Sequence, residues 1–108
     1  MTVSDLAKAC GFTPLYIADE NASVTGAYAC DLLSWVIGRA KEGSALVTVM
    51  TNVNVIAVAL MADLPCVVLS EGVRPDENAL TRAGEQGISI LVSERPTFET
   101  CLAIGKAL

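Results

Sequence analysis

The amino-acid sequence predicts a single-domain α/β fold in which a mostly parallel sheet of about five strands is flanked by helices. Residues 44–70 contain a β-branched apolar run, a polar turn, a helix-length Ala- and Leu-rich stretch and a second β-branched run. This succession is typical of a βαβ unit whose strands are buried on both faces. Apolar residues make up 53% of the 108-residue chain, which is more than in a typical globular protein. Such an excess suits a sheet that is covered by helices on both faces. We therefore treat residues 1–108 as one domain.

The N-terminal part of the chain predicts a helix and then a strand. Residues 2–11 form a short amphipathic stretch in which Thr2 or Ser4 can accept hydrogen bonds from the first-turn amides. Gly11 can adopt the left-handed conformation that ends a helix. Residues 14–18 then have the composition of a short strand.

The next segment predicts a second strand followed by a second helix. Residues 24–30 are extended in pattern, and residues 31–40 have helical spacing. Asp31 is expected to be the N-cap of this helix, with the Ser34 hydroxyl returning a hydrogen bond near the cap. The single tryptophan, Trp35, is expected at the edge of the core or across a dimer contact.

Residues 44–70, the central unit of the chain, begin with a strand, a polar corner and a helix. Residues 45–50 predict a buried strand, residues 55–64 a helix, and residues 66–69 the next buried strand. Either Thr51 or Asn52 is expected to cap the helix, because both side chains offer an oxygen to first-turn amides.

The C-terminal third predicts helix, strand and helix. A helix over residues 77–86 is expected to be capped by Asp76 and stopped by Gly87, before a buried strand at 88–92 and a last helix at 97–108. The inner face of the first of these helices is expected to consist of Ala79, Leu80 and Ala83, and the apolar positions of the second are Phe98, Cys101, Leu102 and Ile104.

A membrane-spanning helix is the main alternative for the central unit, since no charged residue occurs from residue 44 to residue 62. The polar side chains at its midpoint argue against a span, as does the lack of basic and aromatic anchors at its ends. Asp5 and Lys8 interrupt the N-terminus before any hydrophobic leader forms. We expect a cytoplasmic protein without contact to the membrane.

Composition also argues against several functional classes. The net charge is −5 and the basic residues are scattered, so the sequence offers no basic patch for nucleic acid. The chain has no histidine, and its four cysteines lie far apart, so no metal site or cofactor is expected. Ser–His and Cys–His pairs are impossible, and neither a P-loop nor a dinucleotide fingerprint occurs. We expect no catalytic residues and no enzyme activity.

The candidate ligand-binding residues lie at two polar junctions, each between the end of a strand and the start of a helix. Thr51, Asn52 and Asn54 stand where a buried strand gives way to a helix, and free amides at such a position attract anions. Asp31 and Ser34 occupy a second junction of the same kind. The alternative is that both sets of residues only cap helices. If the two junctions share one sheet edge, they would form one polar pocket.

Several stretches of the sequence resemble the DRTGG-domain family, over nearly the whole chain. They include Val24-Thr25-Gly26-Ala27-Tyr28-Ala29-Cys30-Asp31-Leu32-Leu33-Ser34, Asn54-Val55-Ile56-Ala57-Val58-Ala59, and Gly43, Thr48 and Gly87-Ile88. Where the family carries Asp-Arg-Thr-Gly-Gly, this chain has Ser23-Val24-Thr25-Gly26-Ala27, so the charged pair and the second glycine of the signature are missing.

The resemblance implies the fold of the N-terminal domain of bacterial HPr kinase/phosphorylase. It implies no kinase activity, because that chemistry belongs to a separate P-loop domain. Related domains accompany CBS modules in a regulated pyrophosphatase, and short members occur near iron-hydrogenase genes. What is implied is a regulatory or assembly module, often at a dimer contact.

The sequence therefore predicts a non-catalytic regulatory module that forms a homodimer and binds a small anionic ligand such as a nucleotide. The alternative is a structural adaptor for iron-hydrogenase or electron-transfer machinery, with a hydrogenase-related protein as its partner and no small ligand.

Overall fold

The protein folds into three layers, with helices on both faces of one sheet. The structure is a computed structural model that describes residues 1–108. Its elements in chain order are α1 (Val3–Cys10), β1 (Thr13–Tyr16), β2 (Gly26–Ala29), α2 (Leu33–Arg39), β3 (Ser44–Thr48), α3 (Val53–Met61), β4 (Cys66–Leu69), α4 (Glu77–Gln86), β5 (Ser89–Val92) and α5 (Thr97–Ala107).

The five strands form one mixed sheet in the order β1-β5-β4-β3-β2. β2, β3, β4 and β5 are parallel to one another, and β1 pairs with β5 in the antiparallel direction. Every residue of β3, β4 and β5 is buried, as the continuous apolar runs predicted. The predicted α/β fold with a mostly parallel sheet is thus confirmed.

Two hydrophobic clusters cover the two faces of the sheet. One cluster of 14 buried residues joins α2, α3 and α4 to alternate side chains of the strands, including Leu46 and Val67. The other, of 12 buried residues, joins α1 and α5 to the intervening side chains, including Val47 and Val68. Because side chains alternate across a strand, each central strand supplies both clusters.

The uncharged central stretch divides into strand, corner and helix, as predicted. Asn52 caps α3, since its side chain accepts a hydrogen bond from the amide of Asn54. The helix begins at Val53 and ends at Met61, two to three residues earlier than the spacing predicted. None of the helices combines the length and apolarity that crossing a lipid bilayer requires.

The predicted cap of α2 is wrong. The helix begins at Leu33, with Leu32 at the cap position and no capping side chain. Asp31 lies one residue too early to cap it, and its carboxylate instead bonds to β3. Trp35 is 49% exposed, with the Arg39 guanidinium 3.9 Å from its ring centroid. It packs against neither hydrophobic cluster, so of the two positions predicted for it the dimer contact stays a prediction.

One apolar side chain predicted to face inward, Leu80, is exposed, and so are two of the apolar positions of the last helix. On α4, Ala79 and Ala83 are buried, but Leu80 is on the solvent side. On α5, Ile104 is buried together with Thr100, whereas Phe98 is 75% and Leu102 44% exposed. The reason is that Thr100 bonds to Ser93 at the end of β5, which rotates the hydroxyl inward and Phe98 outward.

Candidate functional site

The two polar junctions meet at the carboxyl edge of the sheet. β2 and β3 are parallel neighbours, so both end at the same edge. Asp31 follows β2, and its Oδ1 accepts hydrogen bonds from the Thr48 hydroxyl at 2.7 Å and from the Val49 amide at 3.0 Å. Thr48 is 1% exposed, so Asp31 supplies the partner that this buried hydroxyl needs. The two junctions thus share one sheet edge, which is the condition stated above for a common pocket.

The corner between β3 and α3 presents unpaired backbone amides. Asn52 Oδ1 accepts the Asn54 amide at 2.9 Å, and Thr48 Oγ1 accepts the Met50 amide at 3.2 Å. The amides of residues 51–53 donate to no backbone carbonyl and to no side chain of the molecule. Three consecutive N–H groups at a helix start are suited to bind an anionic oxygen, and the positive end of the helix dipole adds to the attraction.

Two carboxylates flank these amides. Asp76 Oδ1 lies 3.4 Å from the Thr51 hydroxyl, and the Asp76 amide donates to the Thr51 carbonyl at 2.9 Å. Asp31 stands on the other side through its bond to Val49. Carboxylates repel an anion but accept hydrogen bonds from hydroxyl and amino groups. The corner is thus suited to a ligand that combines an anionic group with such donors.

The remaining predicted site residue, Ser34, lies on the exposed side of α2. It does not form the predicted hydrogen bond near the helix cap, because Asp31 has turned toward β3. None of the three surface clefts of the domain is lined by Ser34 or by residues 51–54. The polar corner is therefore an open surface rather than a walled pocket.

A second polar cluster occupies the ends of β4 and β5 and was not predicted. Glu71 Oε2 accepts the Thr97 amide at 2.6 Å and the Thr97 hydroxyl at 3.2 Å, so this carboxylate caps α5 from another element. The Thr97 hydroxyl also bonds to Ser70 at 2.7 Å. Gly72 lies so close to Glu94 that an added Cβ would meet its Oε2 at 2.7 Å. The side chains of Ser70, Glu71 and Thr97 thus serve as hydrogen-bond partners for one another.

One sequence signal could have indicated this cluster. The same dipeptide follows two buried strands: Ser70-Glu71 follows β4, and Ser93-Glu94 follows β5. Such repetition after parallel neighbouring strands places both pairs at one sheet edge. Glu71 therefore has a structural role, as the cap of a helix to which it does not belong.

The thiols do not form a nucleophilic centre. Burial raises the pKa of Cys66 to about 12. Burial also raises the pKa of Cys10, partly offset by the charge of Arg95, and the pKa of Cys101. All four cysteines are free thiols. Since the thiolate is the reactive form, these three side chains are weak nucleophiles near neutral pH.

Comparison with known proteins decides the family. The model of the DRTGG domain matches residues 18–107. The chain belongs to the DRTGG-domain family. A search of curated protein sequences gave no match.

A solved structure shares the fold of this DRTGG domain. It is the crystal structure of the CBS and DRTGG domains of the regulatory region of Clostridium perfringens pyrophosphatase, complexed with its activator, diadenosine tetraphosphate. The TM-score is 0.80 over 99% of the present chain, at 12% sequence identity, and the chain corresponds to 47% of that protein's chain. The fold predicted from the resemblance is thereby confirmed.

Proposed function

We propose that this DRTGG domain is a non-catalytic regulatory module of the cytoplasm that senses a small anionic ligand such as a nucleotide. The proposed site is the polar corner of Thr51, Asn52 and Asn54, with Asp31 and Ser34 beside it. The observation that carries the proposal is the run of three unpaired amides at the start of α3. A nucleotide phosphate would accept from these amides, and its sugar hydroxyl or base amino groups would donate to the flanking carboxylates.

The family supports the regulatory part of this proposal. The regulatory region that shares the fold was crystallised with an adenine nucleotide as activator. The chain has no histidine, and burial holds three of its four thiols protonated, which favours sensing over catalysis. We further propose that the domain forms a homodimer through its exposed apolar side chains.

The proposed site is tested by nucleotide binding to a charge variant. Asn52→Asp keeps an oxygen that caps α3, because aspartate is as good an N-cap as asparagine, but it places a negative charge beside the free amides. We expect AMP, ATP or diadenosine tetraphosphate to bind the wild-type protein in calorimetry. We expect the affinity of Asn52→Asp to fall about tenfold or more.

The matched control is Asn21→Asp, which makes the same change of charge in the loop between β1 and β2. Its affinity should equal that of the wild type. Adenosine, which lacks phosphate, should bind far more weakly than AMP. Equal nucleotide affinity for Asn52→Asp and wild type would overturn the proposed site.

A structural adaptor for hydrogenase or electron-transfer machinery is the second candidate. Ten large apolar side chains are exposed, among them Trp35, Met61 and Phe98, which favours a protein–protein contact. If the protein is such an adaptor, we expect no nucleotide to bind. We also expect the double variant Asn52→Ala and Asn54→Ala to retain a hydrogenase-related partner, and loss of the partner in that variant would contradict the adaptor hypothesis.

A further inference from the structure

A basic cleft lies at the amino end of β2 and β3, opposite the polar corner. Its volume is about 420 Å³, within the range of small-molecule sites. It is lined by residues 25–28 of the β2 segment, Arg39 at the end of α2, Lys41 and Glu42 of the following loop, and Ser44 at the start of β3. We refer to it as the Arg39–Lys41 cleft.

The two cations of this cleft have no carboxylate partner. The domain has two ion pairs, Arg74 with Glu94 and Arg82 with Glu85, and neither includes Arg39 or Lys41. The Arg39 guanidinium stacks on the Trp35 ring at 3.9 Å to the centroid. Stacking orients the guanidinium and leaves its N–H edges free to bind two oxygens of an anion. In a chain of net charge −5, this is a local excess of positive charge, reduced by Glu42 alone.

A buried hydroxyl forms part of the lining of the cleft. Ser44 is 6% exposed, and its Oγ takes part in no hydrogen bond of the molecule. No fully enclosed side-chain oxygen or nitrogen lacks a partner, so this hydroxyl reaches solvent, and it does so through the cleft. Gly26 keeps the approach open, since a Cβ added there would lie 3.7 Å from Ser44 Oγ.

We propose that the Arg39–Lys41 cleft binds the phosphate group of a small phosphorylated molecule. The guanidinium edge binds two phosphate oxygens, the Lys41 ammonium adds a point charge, and the Ser44 hydroxyl donates the hydrogen bond that it lacks within the protein. A phosphate has further oxygens beyond the two that a guanidinium binds, whereas a carboxylate has none and would have to share those two with the ammonium and the hydroxyl. The cleft lies at the other edge of the sheet from Thr51 and Asn54, so this site does not depend on the proposed function.

A second cleft of the domain serves as an internal comparison. It is lined by Arg95, Glu99, Leu102, Ala103 and Lys106 and thus also holds two cations and one carboxylate. No hydroxyl group lines it, and apolar side chains supply the rest of the wall. If charge alone attracted phosphate, both clefts would bind it equally. The proposal requires the Arg39–Lys41 cleft to bind and this cleft not to bind.

The test is nuclear magnetic resonance of the ¹⁵N-labelled full chain, titrated with inorganic phosphate and separately with ribose 5-phosphate. Sodium chloride at equal ionic strength and ribose are the blanks. We expect saturable shifts of the amides of Gly26, Ala27 and Ser44 and of the Arg39 side-chain N–H. A response from both probes shows a site for phosphate itself, and a response from the ester alone shows a site that also needs the sugar. Absence of saturable shifts with both probes would overturn the proposal.

Variants assign the binding to the named groups. Arg39→Gln combined with Lys41→Gln should weaken binding about tenfold or more, and Ser44→Ala about threefold. Gly26→Ala, whose added methyl group meets only an ordinary contact, should weaken binding by narrowing the cleft while the other resonances keep their positions. Lys106→Gln should leave the titration unchanged. Loss of the shifts in this control, or unchanged affinity in the double variant, would contradict the assignment.

Discussion

At the scale of single residues, the Cys66 thiol couples stability to pH. Burial raises the pKa of this thiol to about 12 in the folded chain, against about 8.5 in an unfolded one. The folded state therefore disfavours the thiolate, and the contribution of Cys66 to stability is complete below about pH 8.5 and lost as pH rises toward 12. We expect the free energy of unfolding in urea to fall by about 2 kcal/mol between pH 8 and pH 10 from this residue.

The control is Cys66→Ala, which cannot ionise at that position. Its free energy of unfolding should decline less steeply over the same pH range, because only Cys10 and Cys101 then keep raised pKa values. Parallel pH profiles for the variant and the wild type would show that the thiolate of Cys66 costs nothing in the folded state.

Residue-level expectations succeeded where one local interaction decides the outcome. Asn52 caps α3 as predicted, because an amide oxygen before a helical run has its partner two residues away. Asp31 was predicted by the same reasoning and is wrong as a cap, because a buried hydroxyl on the neighbouring strand, that of Thr48, competes for its carboxylate. That competitor is 17 residues away in sequence, so local spacing does not show it.

At the scale of elements, α5 is started by a side chain from another part of the chain. Pro96 stands at its cap position and forms no capping bond, while the Glu71 carboxylate accepts the Thr97 amide and hydroxyl. We expect Glu71→Ala to lower the free energy of unfolding by about 1–2 kcal/mol, and Glu71→Gln by less, because glutamine keeps one acceptor oxygen. Denaturation in urea followed by circular dichroism measures both.

Backbone strain at residue 71 is the same in the wild type and in both variants, so it does not contribute to the difference in their stability. Residue 71 has a φ of 62°, and both replacements carry a Cβ, so both bear the same strain as glutamate. The matched control is Glu99→Ala in the first turn of the same helix, where the carboxylate is exposed and bonds to nothing. Equal losses for Glu71→Ala and Glu99→Ala would mean that only the helix dipole, and not the hydrogen bonds, stabilises this helix.

The elements themselves were predictable from periodicity, but the orientation of the outer helices was not. Strands β3 to β5 are continuous apolar runs with one possible location, the middle of the sheet. Helix α5 has apolar side chains on more than one side, and the bond between Thr100 and Ser93 decides which side faces inward. A pairing of two hydroxyl groups across elements leaves no periodic trace in the sequence.

At the scale of the whole molecule, the proposed homodimer needs a surface, and α2 offers one. Leu32 at its cap position and Trp35 and Ile37 within it are each about half exposed, at 53%, 49% and 47%. We expect light scattering after size-exclusion chromatography to give about twice the chain mass of 11.3 kDa for the wild type. Ile37→Glu should give the mass of the single chain, because a buried unpaired carboxylate is costly at an interface.

Phe98→Glu is the control for that experiment. Phe98 is 75% exposed, and it lies on α5, which packs on the opposite face of the sheet from α2. This variant should remain dimeric. A wild-type protein that elutes at the mass of one chain would contradict the dimer, and dissociation by Phe98→Glu alone would place the interface on α5.

The antiparallel pairing of β1 with β5 has a consequence for synthesis on the ribosome. Thr13 is the register partner of Val92, and β1 has no other neighbour in the sheet. During synthesis β1 is made before the other four strands but has no partner until β5 has left the exit tunnel. Contacts so distant along the chain form late. The strand that is made first is thus among the last to be paired, and folding of this domain finishes only after β5 has emerged.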